Sequence, residues 1–175
     1  MTILHECAGG IQSWDVIQYN GCMEIRITTV DELKALAAQF VESIVPGKQA
    51  VIVALSGDLG AGKTTFVQAA AEVLEVREDV TSPTFVIEKI YQLTGQKFQR
   101  LIHIDAYRLE SSHELEVLGF EEFLKDPGNL ILLEWPEKVS ELIPSEAVRV
   151  RFDIHGDERT ISINGGEENK KESRG

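Results

Sequence analysis

Apolar positions along this chain fall into short runs that predict strands and into helically spaced stripes that predict helices. Residues 50–55 are apolar and rich in β-branched side chains, which is typical of a strand buried in a parallel sheet. Residues 129–135 have the same character, and residues 23–27 alternate like a half-buried strand. Two hairpins are also predicted, one from residues 85–93 and 98–105 and the other from residues 148–154 and 160–163.

Helical spacing marks the segments between these strands. Thr29 and Glu32 have the spacing of a capping box, and the apolar stripe that follows them predicts a helix. Residues 66–74 are good helix formers with an apolar stripe of their own. Residues 110–125 predict an acidic helix broken near Gly119, whose charged face is either solvated or a docking surface for a basic partner.

The order of these elements predicts one α/β domain over residues 23–164. Residues 1–22 form an N-terminal extension that the hydrophobic pattern leaves unassigned. Residues 165–175 form a polar tail with no apolar side chains to bury, and we expect this tail to be disordered. At 175 residues the chain is long enough to build a hydrophobic core without disulfides.

Charge and composition narrow the classes of function. The formal net charge of −12 argues against broad affinity for nucleic acids, because phosphate backbones attract Lys and Arg. Any RNA would therefore be held through a partner. Cys7 and Cys22 lie in no metal-binding or redox motif, which favours a reduced cytoplasmic protein. No apolar run approaches membrane-spanning length, and we expect neither a membrane helix nor a secretory signal.

The strongest chemical signal lies in residues 57–65. Residues 57–64 fit G-x-x-x-x-G-K-[ST], the phosphate-binding loop, between a predicted strand and a predicted helix as that loop requires. Lys63 would lie along the β- and γ-phosphates, and the Thr64 hydroxyl would bind Mg²⁺. A glycine-rich turn that binds nothing is the alternative, and the flanking strand and helix argue against it. The predicted phosphate-binding residues are Asp58, Leu59, Gly60, Ala61, Gly62, Lys63, Thr64 and Thr65.

Two predicted strands end in acids that belong near this loop. Asp105 shares a strand face with His103, and it either orients the attacking water, holds a water on the metal, or pairs with Arg108 for structure alone. Glu134 ends its strand in the Walker B position, where Asp is commoner. Spacing leaves open which of the two acids holds the metal.

A short loop follows the phosphate-loop helix and its connection. Hydroxyl groups near a nucleotide site can bind Mg²⁺ or sense the γ-phosphate, as switch loops do, although such a segment is usually only a turn. The proline in this loop favours an extended chain before it. The candidate residues are Ser82, Pro83, Thr84 and Phe85.

Four motifs in series resemble one family. They are residues 57–65, the S-P-T-F sequence at residues 82–85, H-x-D-x-Y-R at residues 103–108 and L-E-W-P at residues 133–136. Their order and separations resemble the TsaE (formerly YjeE) family, the bacterial ATPases of tRNA threonylcarbamoyladenosine synthesis, from about residue 24 to residue 164. The resemblance implies a P-loop NTPase-type, three-layer α/β domain with a largely parallel central sheet and antiparallel hairpin strands.

The resemblance also implies an activity and partners. Members of the family bind ATP and Mg²⁺, hydrolyse ATP slowly alone, and act with the TsaB–TsaD pair. TsaD transfers the threonylcarbamoyl group to an adenosine of tRNA, and ATP hydrolysis by the TsaE-like subunit resets that complex. We therefore expect contact with tRNA only through the complex and no association with membranes.

By the same resemblance, Thr64 and Glu134 become the Mg²⁺ ligands, Asp105 becomes the catalytic or water-orienting acid beside Lys63, and residues 82–85 become the switch-like loop. The adenine is expected between the edge near Thr29 and Val30 and the late hairpin near Gly156. ATP rather than GTP is also favoured by the residues themselves, because the guanine-specific N-K-x-D does not follow a late strand.

Two other functions stay open. A stand-alone kinase of a small molecule would need an arginine-bearing lid over the phosphates, and Arg77, Arg100 and Arg108 are scattered. A nucleotide-sensing module would bind ATP tightly and would keep its biological activity when Asp105 is replaced by Asn.

Overall fold

The computed structural model describes residues 16–19, 22–78, 80 and 87–165. Eight strands and four α-helices make up most of this part of the chain. The strands are β1 (Val16–Tyr19), β2 (Cys22–Ile27), β3 (Val51–Gly57), β4 (Glu88–Gln92), β5 (Arg100–Asp105), β6 (Asn129–Glu134), β7 (Val148–His155) and β8 (Glu158–Asn164). The helices are α1 (Val30–Ser43), α2 (Lys63–Val73), α3 (Ser112–Val117) and α4 (Phe120–Lys125), and short 3-10 helices span Ala106–Arg108 and Pro136–Leu142.

The strands form one sheet in the order β1-β2-β8-β7-β3-β6-β5-β4. The four central strands β7, β3, β6 and β5 are parallel to one another, whereas β4 on one side and β8, β2 and β1 on the other pair antiparallel. Both predicted hairpins are present. Residues 16–19, which the hydrophobic pattern left unassigned, extend the sheet as β1.

Helices cover both faces of the central strands and complete three layers. Successive residues of a strand point to opposite faces, so Val53 and Leu55 pack with α1 and α2, whereas Ile52 and Ala54 pack with α3, α4 and the second 3-10 helix. All four side chains are at most 3% exposed. The fold class expected from the sequence, a three-layer α/β domain with parallel central strands, is confirmed.

The start of α1 follows the predicted capping box. The Glu32 backbone N–H donates to Thr29 Oγ1 at 3.2 Å, and the Thr29 backbone N–H donates to Glu32 Oε2 at 3.1 Å. A cap of this kind is worth about 1 kcal/mol of helix stability. The predicted break near Gly119 is also present, since Gly119 has φ +85° and separates α3 from α4.

The strand directions decide where chemistry can occur. Because β5, β6 and β3 are parallel, their carboxyl ends lie at one edge of the sheet, where Glu134 is in register with Leu55 and with Asp105. The phosphate-loop sequence leaves β3 at this same edge. In the described residues, no helix combines the length and apolar character needed to cross a membrane.

Candidate nucleotide-binding site

The loop between β3 and α2 is shaped by close packing as well as by its glycines. Gly57 has φ +135°, and a Cβ there would lie 2.3 Å from the Phe152 carbonyl oxygen of β7. Gly62 has φ +109°, and a Cβ there would lie 2.8 Å from Leu33 Cδ2 of α1. These glycines therefore let the loop fit between a strand and a helix, which the motif alone did not reveal.

Lys63 folds back over the loop that it follows. Its Nζ donates to the Gly57 carbonyl at 2.6 Å and to the Asp58 carbonyl at 2.8 Å, and it lies 3.9 Å from the centre of the Trp135 ring. The residue is only 4% exposed, and this burial lowers the pKa of the Lys63 ammonium group. Nearby carboxylates, with Glu134 foremost, oppose that lowering.

Thr64 and Glu134 meet across the cleft between α2 and β6. The Thr64 hydroxyl lies 3.0 Å from each carboxylate oxygen of Glu134. The imidazole of His103 lies behind this carboxylate, with Nε2 2.9 Å from Glu134 Oε1. Glu134 is 2% exposed and His103 is fully buried, so a carboxylate is held in the interior by two neighbouring side chains.

Asp105 lies on the strand beside Glu134 and opens into the same cleft. Its carboxylate accepts a hydrogen bond from the Tyr107 backbone N–H at 3.0 Å and so caps the 3-10 helix Ala106–Arg108. The residue is 4% exposed. Because the cap fixes the side chain, the carboxylate keeps one position at the carboxyl edge of β5.

The cleft encloses about 370 Å³. Its aromatic wall is formed by Tyr107 and Trp135, whose ring centres are 4.9 Å apart, and Trp135 adopts the left-handed backbone region with φ +59°. Lys63 is the only Lys or Arg among the described residues that line it. The lining residues are Leu59, Gly60, Gly62, Lys63, Thr64, Thr65, Asp105, Tyr107, Glu134 and Trp135.

Other residues singled out in the sequence lie elsewhere or fall outside the described chain. Thr29 and Val30 begin α1, and Gly156 forms the β7–β8 turn with φ +64°. These three lie at the carboxyl edge of the sheet but do not line the cleft, so the adenine position stays a prediction. Ala61 is fully buried in the core next to the loop. The candidate switch residues Ser82, Pro83, Thr84 and Phe85 lie outside the described residues.

Sequence reasoning assigned no role to His103, and Tyr107 and Trp135 were not among the predicted site residues. One signal for His103 was available, since a histidine in the otherwise apolar run 101–104 is unusual for a buried strand. Trp135 follows Glu134 directly, but its position over Lys63 depends on the backbone turn after β6.

The donor set fits a nucleotide with Mg²⁺. A hydroxyl oxygen and a carboxylate are hard ligands, and Mg²⁺ in phosphate-transfer sites is commonly bound by one or two such side chains together with phosphate and water oxygens. Thr64 and Glu134 supply this pair beside a loop whose lysine already bonds to two oxygen acceptors. The residues present are therefore suited to a magnesium-bound polyphosphate.

Comparisons with known proteins agree on one family. A family model described as threonylcarbamoyl adenosine biosynthesis protein TsaE matches residues 27–161. The tRNA threonylcarbamoyladenosine biosynthesis protein TsaE of Bacillus subtilis is 37% identical over 139 residues, which covers 79% of this chain and 82% of the relative. The protein of the same name from Haemophilus influenzae is 33% identical over 116 residues, covering 66% of this chain and 71% of the relative.

A solved structure shares the fold. The crystal structure of Bacillus subtilis YdiB aligns with a TM-score of 0.66 and 29% sequence identity, and the alignment covers 89% of this chain and 90% of that one. The likeness therefore extends over about nine-tenths of both chains.

Proposed function

The chain belongs to the TsaE family of tRNA threonylcarbamoyladenosine biosynthesis proteins, and on this premise we propose that it is a Mg²⁺-dependent ATPase of that pathway. The observation that carries the proposal is the meeting of Lys63, Thr64 and Glu134 at one cleft beside the phosphate loop. Asp105 faces the same cleft.

Each side chain has a role in hydrolysis. The Lys63 ammonium exchanges its bonds to the loop carbonyls for bonds to the β- and γ-phosphates. The Thr64 hydroxyl and the Glu134 carboxylate would hold Mg²⁺, which when bound would neutralise charge on the phosphate oxygens. The oxygen of the attacking water bonds to the γ-phosphorus while the bond from that phosphorus to the β–γ bridging oxygen breaks. Asp105 accepts the proton that this water loses. The products are ADP and phosphate.

Hydrolysis is favoured over phosphorylation of a small molecule. Kinases of small molecules close arginine-bearing lids over the phosphates to exclude water. Among the described residues, Lys63 is the only cationic side chain that lines the cleft. Within the described part of the chain, the cleft therefore lacks the arginines that such a lid would supply, which supports attack by water.

The purpose of this hydrolysis is to reset or activate the TsaB–TsaD complex that transfers the threonylcarbamoyl group. The net charge of −12 supports a role in which the partners, rather than this chain, hold the tRNA. Phosphate release should rise when the TsaB–TsaD pair is added, and a ternary complex should co-purify in ATP or ADP. Unchanged turnover together with no ternary complex would refute this role.

A matched pair of variants tests the site itself. Glu134→Gln keeps the side-chain shape but removes the charge next to Thr64, so Mg²⁺-dependent hydrolysis should be lost. Glu141→Gln makes the same change at an exposed position of the neighbouring 3-10 helix, outside the cleft lining, and should hydrolyse ATP as the native protein does. Native hydrolysis by Glu134→Gln would remove Glu134 from the metal site.

A further inference from the structure

His103 occupies a position that an apolar residue would fill at lower cost. It lies in β5 between Ile102 and Ile104, and its ring is fully buried. Its Nδ1 has no hydrogen-bond partner among the residues that the structure describes. A buried polar atom left unpaired costs about 1–3 kcal/mol, so packing alone does not account for a histidine here.

In the ranges that the structure describes, the hydrogen bond of this ring is directed at Glu134. His103 Nε2 lies 2.9 Å from Glu134 Oε1, in β6 next to β5. An ionised carboxylate can only accept hydrogen bonds, so the hydrogen belongs to Nε2 and the imidazole is the donor. His103 therefore supplies a charge-assisted hydrogen bond to the carboxylate that faces Thr64.

Glu134 needs such support more than the commoner aspartate would. A glutamate has one more rotatable bond than an aspartate, and its rotamer freedom has to be restricted to hold the carboxylate in one place. The Thr64 hydroxyl lies 3.0 Å from both Oε1 and Oε2 but has a single hydrogen to donate. With Oε1 already bonded to His103, the orientation of the carboxylate is set independently of Thr64.

We infer that His103 is a positioning residue, which fixes the Glu134 carboxylate in the orientation that holds Mg²⁺. The inference rests on the proposed function, because it assigns His103 a part in the same magnesium site. His103 does not line the cleft, so it acts through Glu134 and has no contact with the nucleotide.

Substitutions that move or remove the donor test this role. In His103→Gln, the side-chain nitrogen is as many bonds from Cβ as Nε2 of histidine, so the bond to Glu134 can be kept. In His103→Asn, the same amide group is one bond shorter and falls short of Oε1. His103→Phe keeps the ring shape without any donor. Thermal unfolding of each variant checks that the fold is intact.

The readout is the affinity for ADP, measured by calorimetry in Mg²⁺ and in EDTA. The native protein and His103→Gln should bind ADP more tightly in Mg²⁺ by the same factor. In His103→Asn and His103→Phe, the ratio of the ADP affinity in Mg²⁺ to that in EDTA should be about tenfold smaller. This is the size expected for a lost hydrogen bond to a charged group. Affinity in EDTA should stay close to native in every variant, because the phosphate loop is unchanged.

Two results would overturn the inference. One is a native Mg²⁺ effect in His103→Asn, and the other is a loss in His103→Gln as large as that in His103→Asn. Should His103→Phe fail to fold, the comparison of the two amides still decides the outcome. A native protein that binds no ADP in Mg²⁺ would instead refute the proposed function, and this inference with it.

Discussion

Lys63 and Lys97 make the same kind of contact in two different regions of the molecule. Lys63 Nζ donates to two carbonyl oxygens of the phosphate loop, and Lys97 Nζ donates to the carbonyls of Val41, Glu42 and Ile44 at 2.7, 2.8 and 2.7 Å. Desolvation lowers the pKa of both ammonium groups. The two lysines differ in what surrounds them, which is a helix end for Lys97 and a cleft with carboxylates for Lys63.

Lys97 completes the end of a helix. The last carbonyls of an α-helix have no partner within the helix, and α1 carries no basic residue of its own in its last turn. Lys97 comes from the β4–β5 hairpin and supplies the missing donor, and the charge of Glu42 opposes the lowering of its pKa. This contact joins helix α1 to the β4–β5 hairpin, and it lies outside the cleft where a ligand could replace it.

Lys63 faces a cleft and four carboxylates. Glu134, Glu137, Asp105 and Asp58 each favour its charged form, and Trp135 lies against its ammonium group. Loop carbonyls can give way to phosphate oxygens, which attract a cation more strongly. A lysine bonded to backbone carbonyls is therefore structural or functional according to what else its charge faces.

The largest difference between the two lysines should appear in turnover. Lys63→Met should reduce ATP hydrolysis on the order of a hundredfold or more, because the proposed function assigns Lys63 to the transferring phosphoryl group. Lys97→Met makes the same chemical change and should leave phosphate release close to native. Equal losses in both variants, or native turnover in Lys63→Met, would contradict the claim that Lys63 acts in hydrolysis and Lys97 does not.

The next largest effect is expected at Asp105, one of the carboxylates around Lys63. Asp105→Asn keeps an oxygen for the bond from the Tyr107 N–H but cannot accept a proton, so ATP should bind while hydrolysis falls by about a hundredfold. Single-turnover phosphate release and an equilibrium binding measurement separate the two effects. Hydrolysis at the native rate by Asp105→Asn would remove Asp105 from the catalytic step, whereas biological activity kept by this variant without hydrolysis would favour a nucleotide-sensing module.

A smaller effect is expected on the free energy of unfolding when Lys97 is replaced. Lys97→Met leaves three carbonyls without their donor, and we expect it to lower the free energy of unfolding by about 1 kcal/mol. Lys34→Met is the matched control, since Lys34 lies exposed on the same helix. Urea unfolding of both variants measures the difference. An equal loss in Lys34→Met would show that replacing any lysine near helix α1 by methionine lowers stability, and that the lost cap is not the cause.

The smallest effect concerns pH. The pKa of Lys97 in the folded chain lies below its ordinary value of 10.5, so between these two values the unfolded chain binds more protons. Stability contributed by Lys97 should therefore rise as the pH increases toward 10.5. The difference in unfolding free energy between the native protein and Lys97→Met, followed with pH, should show this rise. A difference that falls over the same range would contradict it.

Local features of the sequence determined a large part of this protein. The capping box at Thr29 and Glu32, the break at Gly119 and the phosphate-loop motif each depend on residues a few positions apart, so the chain itself specifies them. Short apolar runs likewise predicted the buried parallel strands and both hairpins. Four motifs in series then identified the family.

Contacts across the sheet were decided only by the tertiary structure. Thr64 and Glu134 are 70 residues apart, and His103 and Glu134 are 31 apart, so they meet only because of the strand order and register. The contact of Lys63 with Trp135 and that of Lys97 with α1 depend in the same way on distant elements. Sequence periodicity specifies which face a side chain occupies, whereas the packing of strands and helices specifies what it touches.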